Sequence, residues 1–270
     1  MNRKESKRRP KISYEQDIDT IENRIQDCID TGGKMLDLGN LNLTFVPSEL
    51  PLTLEYLSVS DNKIKKLPDM TYLKRLEVFD CCSNKLELIN GVPLRIVEVS
   101  CRNNKIEDLS YLKKCNYLKR FDCFNNNILL FPDISTLTHL ECGENRIRSI
   151  PSLPKLEKLI CNNNEIELLK EFDRLTILDC SENKLEEIPG YTRLVHLMCD
   201  CNNFVKISSN YKKLETLQCT ENKIKYIPYY KRLQEIICDY TDIIIDEKYK
   251  VSSTTVVASG KRKSICIKLK

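Results

Sequence analysis

The sequence predicts an α/β repeat fold, a solenoid in which short parallel strands stack side by side and the connecting segments return on the opposite side. Two observations predict it: asparagine recurs at a nearly constant interval, and apolar residues alternate with polar ones just before each asparagine. Successive asparagines are 22, 20, 22, 19, 19, 19, 19 and 20 residues apart. They are Asn62, Asn84, Asn104, Asn126, Asn145, Asn164, Asn183, Asn202 and Asn222.

Each asparagine fits one template, L-x-x-L-x-L-x-x-N-x-L, whose positions we call slots 1 to 11; one copy of the template is a rung. Degenerate copies flank these nine rungs, with Leu41 and Thr241 in slot 9, so the sequence predicts eleven rungs. Because side chains on a strand alternate between faces, slots 4 and 6 should point inward and slots 3, 5, 7 and 8 outward. The asparagine in slot 9 should satisfy backbone groups where the chain turns away from the strand.

Over roughly residues 33–245 the pattern resembles the leucine-rich-repeat family. The resemblance implies a leucine-rich-repeat solenoid with a curved parallel β-sheet on its concave side. Five returns carry an apolar residue followed by proline, which removes a backbone donor and disfavours a long helix. Extended or short 3₁₀ returns are therefore expected on the convex side. The five prolines are Pro68, Pro132, Pro151, Pro189 and Pro228.

The style of the repeats gives two finer resemblances. The proline-bearing returns resemble the compact repeats of bacterial effectors of the YopM and IpaH type. The asparagine- and lysine-rich Cys-x-x-Asn rungs resemble leucine-rich-repeat proteins of giant amoebal DNA viruses, which implies a viral protein. Effectors of the IpaH type carry a ligase domain after their repeats; here only residues 246–270 follow, so that activity is not expected.

The sequence divides into four segments. Residues 1–12 form a basic flexible tail, and residues 13–32 a capping helix that should cover the open edge of the first rung. Residues 33–245 contain the eleven leucine-rich repeats, and residues 246–270 two alternating β-branched segments that predict a β-hairpin cap over the last strand. The hairpin turn is expected at Ser259-Gly260-Lys261. The apolar face of the capping helix is Ile18, Ile21, Ile25, Cys28 and Ile29.

Nine of the fourteen cysteines occupy slot 6. Free cysteine behaves as a small buried hydrophobe, so this column is expected to fill the interior. Equivalent side chains on neighbouring rungs point the same way, which suits disulfide geometry poorly. Redox chemistry and metal binding remain alternatives. The column is Cys81, Cys101, Cys123, Cys142, Cys161, Cys180, Cys199, Cys219 and Cys238.

Composition indicates the expected location of the protein. No apolar run approaches the ~18 residues that a membrane span needs, and the basic first residues lead into no signal peptide. A cytoplasmic protein without membrane contact is therefore expected, in the host cytosol if it is viral, with its thiols reduced. The six basic residues within residues 1–11 leave open a nuclear address or a nucleic-acid contact.

The outward slots predict a charged concave face. Thirteen acidic residues occupy slots 3, 5, 7 and 8, and only Arg102, Arg120 and Lys158 oppose them, although the whole chain has a formal net charge of +4. Like charges stacked on one face repel, so either these acids merely solvate the sheet or they serve a basic partner. The residues expected to bind that partner are Tyr56, Asp80, Arg120, Asp122, Phe124, His139, Glu141 and Asp179.

The functional prediction is a monomeric, non-catalytic scaffold that binds a basic protein segment on the concave face. A smooth repeat array offers no evident pocket for acid–base chemistry, and no catalytic residue, cofactor or metal is expected. His139 and His196 lie three rungs apart, about 14 Å by strand spacing, too far to share a metal. The alternative is an adaptor or effector that recruits nucleic acid or a modifying complex through its basic tails.

Overall fold

The predicted leucine-rich-repeat solenoid is confirmed. The computed structural model describes residues 20–240, 243–259 and 262–270, without the side chains of residues 257–259 and 262–263. Within this part of the chain, thirteen strands form one sheet in which each rung contributes a strand next to the strand of the preceding rung. The basic tail 1–12 and the tip of the predicted hairpin turn lie outside the described residues, and the four segment boundaries stay predictions.

The strands that line the concave side run parallel and in register. Ten of them are three residues long, with the middle residue buried. They are β1 (Met35–Asp37), β2 (Tyr56–Ser58), β3 (Val78–Asp80), β4 (Glu98–Ser100), β5 (Arg120–Asp122), β6 (His139–Glu141), β7 (Lys158–Ile160), β8 (Ile177–Asp179), β9 (His196–Met198) and β10 (Thr216–Gln218). The strand of rung eleven is longer, so β12 (Glu235–Asp239) offers more backbone to a neighbour.

The cysteine column lies inside the solenoid, as the alternation of slots predicts. All nine slot-6 cysteines are at most 1% exposed, and all fourteen cysteines are free thiols. Burial raises the pKa of the Cys101 and Cys161 thiols well above the ordinary value, so these groups stay protonated and fill the interior; the Cys101 thiol also donates to Asp122 O (3.4 Å). Packing is therefore what the structure shows for this column.

The slot-9 asparagines bind the backbone of two rungs at once. Asn126 accepts a hydrogen bond at Oδ1 from the Ile106 amide (2.9 Å) of the preceding rung. Its Nδ2 donates to the carbonyl oxygens of Cys101 and Cys123 (3.0 Å each) and of Phe124 (3.3 Å). The same pattern recurs along the array, so asparagine is required because it both donates and accepts at a buried turn.

The residue before each asparagine adopts a left-handed backbone conformation. In the first ten rungs slot 8 has φ between 50° and 57°, a region that asparagine and aspartate tolerate better than most residues. The chain must reverse its twist here to leave the strand. Three rungs place glutamate at this strained position, namely Glu144, Glu182 and Glu221.

The returns are extended or short 3₁₀ segments, as the prolines predict. The 3₁₀ helix spans Ser110–Lys114, and β11 (Tyr226–Ile227) pairs with β13 (Ile244–Ile245) on the convex side. Tyrosine hydroxyls join successive returns: Tyr191 donates to Lys170 O (2.7 Å) and Tyr230 to Ser208 O (2.7 Å). Sequence reasoning did not identify these bonds, because tyrosine is not part of the repeat template.

The predicted helix caps the first rung, and within the described residues it begins at Ile21. Helix α1 spans Ile21–Asp30 because Thr20 caps it, its Oγ1 accepting from the Asn23 amide (3.2 Å). Cys28 is buried, whereas Ile29 is 51% exposed, so its assignment to the apolar face was wrong. Ile21 and Ile25 pack against the core beside Cys28, and Ile29 lies on the solvent side of this apolar stripe. Residues 13–19, which include Ile18, lie outside the described residues.

The predicted hairpin covers the last rung. Strand β15 (Arg262–Leu269) pairs antiparallel with β12, from Glu235 opposite Lys268 to Asp239 opposite Ser264. Strand β14 (Val251–Ser259) then pairs antiparallel with β15. Ile267 is buried against the core, so the hairpin supplies the apolar cover that a twelfth rung would give.

Candidate protein-binding face

The concave face consists of the outward side chains of slots 3, 5, 7 and 8, and it contains every residue predicted to bind a partner. Sheet register brings five of these together, because Arg120 lies beside His139 and Asp122 beside Glu141, with Phe124 just beyond β5. Tyr56, Asp80 and Asp179 lie on β2, β3 and β8, two or more strands away from this group. The predicted residues thus form one central cluster, a pair on neighbouring strands (Tyr56 and Asp80) and the separate Asp179.

Arg102 completes the central cluster, although it was not among the predicted residues. Its Nη1 lies 3.2 Å from Asp122 Oδ2 and 3.9 Å from Glu141 Oε2, and its guanidinium lies 4.8 Å from the centre of the Phe124 ring. Lys158 Nζ lies 2.6 Å from Glu141 Oε1. The protein's own bases therefore neutralise the acids at the centre of the face.

A glycine allows the aromatic ring of this cluster to lie across the next rung. A Cβ atom at Gly143 would meet the Phe124 ring at 2.8 Å and Asn162 Oδ1 at 2.4 Å. Every other residue type would therefore push the ring or the amide away. Phe124 is held flat between Arg102 and rung six, where it offers an apolar surface beside charged groups.

Four slot-5 aspartates have a local structural role. In each, Oδ1 accepts a hydrogen bond from the amide two residues later: Gly39 to Asp37 (2.8 Å), Cys82 to Asp80 (3.0 Å), and likewise for the other two pairs. The other pairs are Asp122 with Phe124 (3.1 Å) and Asp179 with Ser181 (3.0 Å). Acids in this slot thus stabilise the end of the strand, so their shared sign does not by itself indicate a partner.

Burial shifts the pKa of several groups on this face. It raises the pKa of the Asp122 carboxyl, although the bond from Phe124 and the charge of Arg102 act in the opposite direction. Burial, helped by the neighbouring Arg120, lowers the pKa of His139, whose Nδ1 lies 2.9 Å from Thr138 Oγ1. His139 is therefore neutral near physiological pH and provides hydrogen bonds rather than charge.

The last four rungs hold a run of acids of which all but one have no ion pair within the described residues. Outward slots of rungs eight to eleven contain six acidic residues and no lysine or arginine. Within the described residues the only ion pair among them joins Glu235 to Lys268 of the hairpin. Ile177, Met198 and Tyr240 lie among them with exposed or half-exposed side chains. The six acids are Asp179, Glu182, Asp200, Glu221, Glu235 and Asp239.

The concave face offers a surface for contact rather than an enclosed site. Its pocket is shallow, about 180 Å³, and is lined by Arg120, Asp122, His139, Glu141 and Lys158 among others. Among the described residues, no group of three or more histidine, cysteine or acidic side chains could hold a metal ion. The same part of the chain contains no helix long and apolar enough to cross a bilayer.

No protein-family model and no curated protein match the sequence. Solved structures match it well. The functional domain of InlJ from Listeria monocytogenes, which includes a cysteine ladder, is 29% identical with a TM-score of 0.63, over 69% of this chain and 43% of that one. YopM, a leucine-rich effector protein from Yersinia pestis, is 24% identical with a TM-score of 0.66, over 79% of this chain and 74% of that one.

An octameric complex of Latrophilin 3, Unc5D and the leucine-rich-repeat protein FLRT2 contains a chain that is 18% identical, with a TM-score of 0.55, over 73% of this chain and 81% of that one. Proteins from Leptospira interrogans, Listeria monocytogenes and Yersinia enterocolitica also match; this chain spans 55%, 59% and 64% of their lengths. These likenesses confirm the fold and the resemblance to YopM. The resemblance to viral repeat proteins stays a prediction.

Proposed function

We propose that this leucine-rich-repeat protein is a non-catalytic scaffold whose concave face binds a basic segment of another protein. The observation that carries the proposal is found on the last four rungs, where five carboxylates that have no ion pair within the described part of the chain surround the exposed Tyr240 and the half-exposed Ile177 and Met198. Aromatic and apolar anchors surrounded by charged groups are typical of protein interfaces. That FLRT2 occurs in a complex with two other proteins supports a binding role for the fold.

We place the expected centre of binding further along the face than the sequence does. The sequence favours rungs three to eight, but Arg102 and Lys158 already pair with Asp122 and Glu141 there. At Asp179 one carboxylate oxygen holds the Ser181 amide, and within the described residues no base pairs with the other. Basic groups of a partner would therefore gain most on rungs eight to eleven and at Asp80.

The expected binding is governed by several weak contacts. Each exposed ion pair contributes little, roughly 0–1 kcal/mol, but several on one face steer encounter and select partner charge. The apolar side chains of Ile177, Met198 and Tyr240 supply surface that a partner can bury. Neighbouring rungs lie about 4.8 Å apart, so an extended segment crossing the strands would meet several acids in succession.

The test uses a fluorescent peptide of alternating lysine and serine and the full-length chain. The variant Asp179→Asn with Asp200→Asn removes two charges but keeps the oxygens that accept from Ser181 and Thr220. We expect roughly tenfold weaker binding and a shallower dependence on salt. The matched control is Glu186→Gln with Glu187→Gln, two exposed acids on the returns, which should bind like the unmodified protein.

Equal affinity in the concave variant and the unmodified protein would contradict the proposal. A second comparison uses Asp122→Asn. Because Asp122 is already paired with Arg102, its loss should weaken peptide binding less than Asp179→Asn does. The alternative, recruitment of nucleic acid or a modifying complex through the basic tails, stays a prediction from the sequence. Deletion of residues 1–11 separates the two, since it should abolish partner capture only if the tail carries recognition.

A further inference from the structure

The hairpin leaves an unpaired strand edge at the end of the sheet. Strand order places β14 last, with β15 on one side and, among the described residues, no strand on the other. Its nine residues span about 27–30 Å and present backbone groups to solvent along one edge. The register with β15 is irregular only between Val251 and Ser253, so the remainder of the edge is regular.

Where its side chains are described, from Val251 to Val256, strand β14 does not contribute to the core. All six residues from Val251 to Val256 are exposed, and Val251 and Val256 are 46% and 52% exposed. The strand contains no charged residue but is rich in valine and threonine, which favour strands. Proteins usually blunt such edges with charges or proline, because an exposed edge binds further strands. An extended segment added to β14 would satisfy its backbone and cover these side chains.

Basic residues lie at both ends of this edge. Lys248 and Lys250 immediately precede β14, and Arg262 and Lys263 begin β15 opposite Ser259 and Ala258. The whole segment 246–270 has seven basic and two acidic residues. The two acids, Asp246 and Glu247, directly precede Lys248, and this end of β14 is basic because Lys268 of β15 and the following Lys270 also lie there. A segment lying along β14 would thus have an uncharged centre between two basic ends, about 30 Å apart.

This arrangement disfavours a second copy of the chain as the occupant. Antiparallel pairing of β14 with its own copy would place Lys248 and Lys250 of one molecule near Arg262 and Lys263 of the other. The like charges would then lie about two strand spacings apart, roughly 10 Å, and would repel. The same charges attract a segment with acidic ends.

We propose that β14 binds an extended acidic segment of another protein by strand addition, with carboxylates at both ends and β-branched residues between them. This surface is separate from the concave face and selects the opposite charge. Backbone hydrogen bonds hold the segment, and the basic ends select its sequence. Nucleic acid also carries negative charge but cannot continue the backbone ladder.

Binding is measured with a fluorescent peptide of alternating valine and threonine that ends in two glutamates on each side. We expect saturable binding to the full chain, and none for the same peptide with lysines at its ends. Lys248→Glu with Lys250→Glu should weaken binding roughly tenfold, because exposed ion pairs are lost at one end. The matched control, Lys65→Glu with Lys66→Glu, changes two exposed lysines on a return and should leave affinity unchanged.

Two further measurements test the mode of binding. A peptide strand pairs through one edge only, so N-methylation of one alternate set of its amides should abolish binding while methylation of the other set is tolerated. The bound peptide should also slow hydrogen exchange of β14 amides. Equal binding of both methylated peptides, equal binding of a single-stranded oligonucleotide, or dimerisation of the free chain through β14 in sedimentation would each overturn the proposal.

Discussion

The two ends of the sheet are closed in different ways. At the first rung, helix α1 lies against β1, and Arg24 Nη1 donates to the carbonyl oxygens of Asp37 (3.1 Å) and Gly39 (2.8 Å). At the last rung, β12 is paired along its whole length with residues 264–268 of β15, but β14 on the other side of β15 has an open edge. A helix ends a sheet because its own backbone is already satisfied, whereas a strand only moves the open edge outward.

The two strands of the hairpin have different roles: β15 contributes to stability, and β14 offers a surface for contact. Burial of Ile267 makes β15 part of the core, while the exposure of β14 makes it available for contact. The first rung shows no comparable open strand within the described residues, because Arg24 and α1 occupy its edge. Stability should therefore be most sensitive at β15, intermediate at the first rungs and least sensitive in the exposed parts of the hairpin.

The largest effect is expected for Ile267→Asp. Ile267 is 5% exposed and lies opposite Ile236 of β12, so the variant buries an unpaired charge in the core. We expect the free energy of unfolding to fall by about 3–5 kcal/mol, measured by urea denaturation. The matched control, Val256→Asp on exposed β14, should change it by less than about 0.5 kcal/mol. Equal losses in both variants would show that β14 contributes to the core as β15 does.

A smaller effect tests the first rung. Because Leu41 replaces the asparagine there, Asn62 Oδ1 accepts from both the Leu41 (3.1 Å) and Leu43 (2.8 Å) amides. Asn222, near the hairpin, accepts from the Phe204 amide (3.0 Å) alone. Unsatisfied buried polar groups cost about 1–3 kcal/mol, so we expect about 2–3 kcal/mol for Asn62→Ala and about 1–2 kcal/mol for Asn222→Ala in urea unfolding. A larger loss of stability for Asn222→Ala than for Asn62→Ala would contradict this explanation, because Asn222 accepts one amide and Asn62 accepts two.

Periodicity explains which parts of the fold could be predicted. The alternation of slots placed the cysteines inside and the asparagines at the turns, because both follow from strand geometry repeated at a fixed interval. The first residue of α1 could not be predicted in the same way, because it is set by a single N-cap residue, Thr20, and not by a repeated pattern. Ile29 fits a helical face in sequence but is exposed, because the pattern cannot show how much of a short helix contacts the sheet.

The candidate site was predictable only in outline. The positions of Asp122 and Glu141 in the repeat template place both residues on one face. The ion pairs of Arg102, however, depend on side-chain conformations across two rungs. The local role of the slot-5 aspartates had a signal in the sequence, namely aspartate two residues before the amide that must turn. Aspartate at this spacing also occurs on surfaces where it has no such role. Only the hydrogen bond that the Phe124 amide donates to Asp122, and the equivalent bonds on other rungs, show the structural role.

The smallest expected effect concerns the ion pair that joins the hairpin to the last rung. A hydrogen bond from Lys268 lowers the pKa of the Glu235 carboxyl below its ordinary 4.5, so the pair stabilises the fold above that pH and the contribution is lost as pH falls through the lowered pKa. Lys268→Met should therefore be slightly less stable than the unmodified protein near pH 7, and the difference should narrow as the pH falls through the lowered pKa of Glu235. Urea unfolding of both proteins over a series of pH values from 7 into acid measures it, with Lys65→Met as an exposed control. A difference that persists in acid would mean that the Lys268 side chain stabilises β15 by packing rather than by charge. The hairpin would then resemble the helical cap, because Arg24 there contacts backbone carbonyl oxygens, which do not titrate.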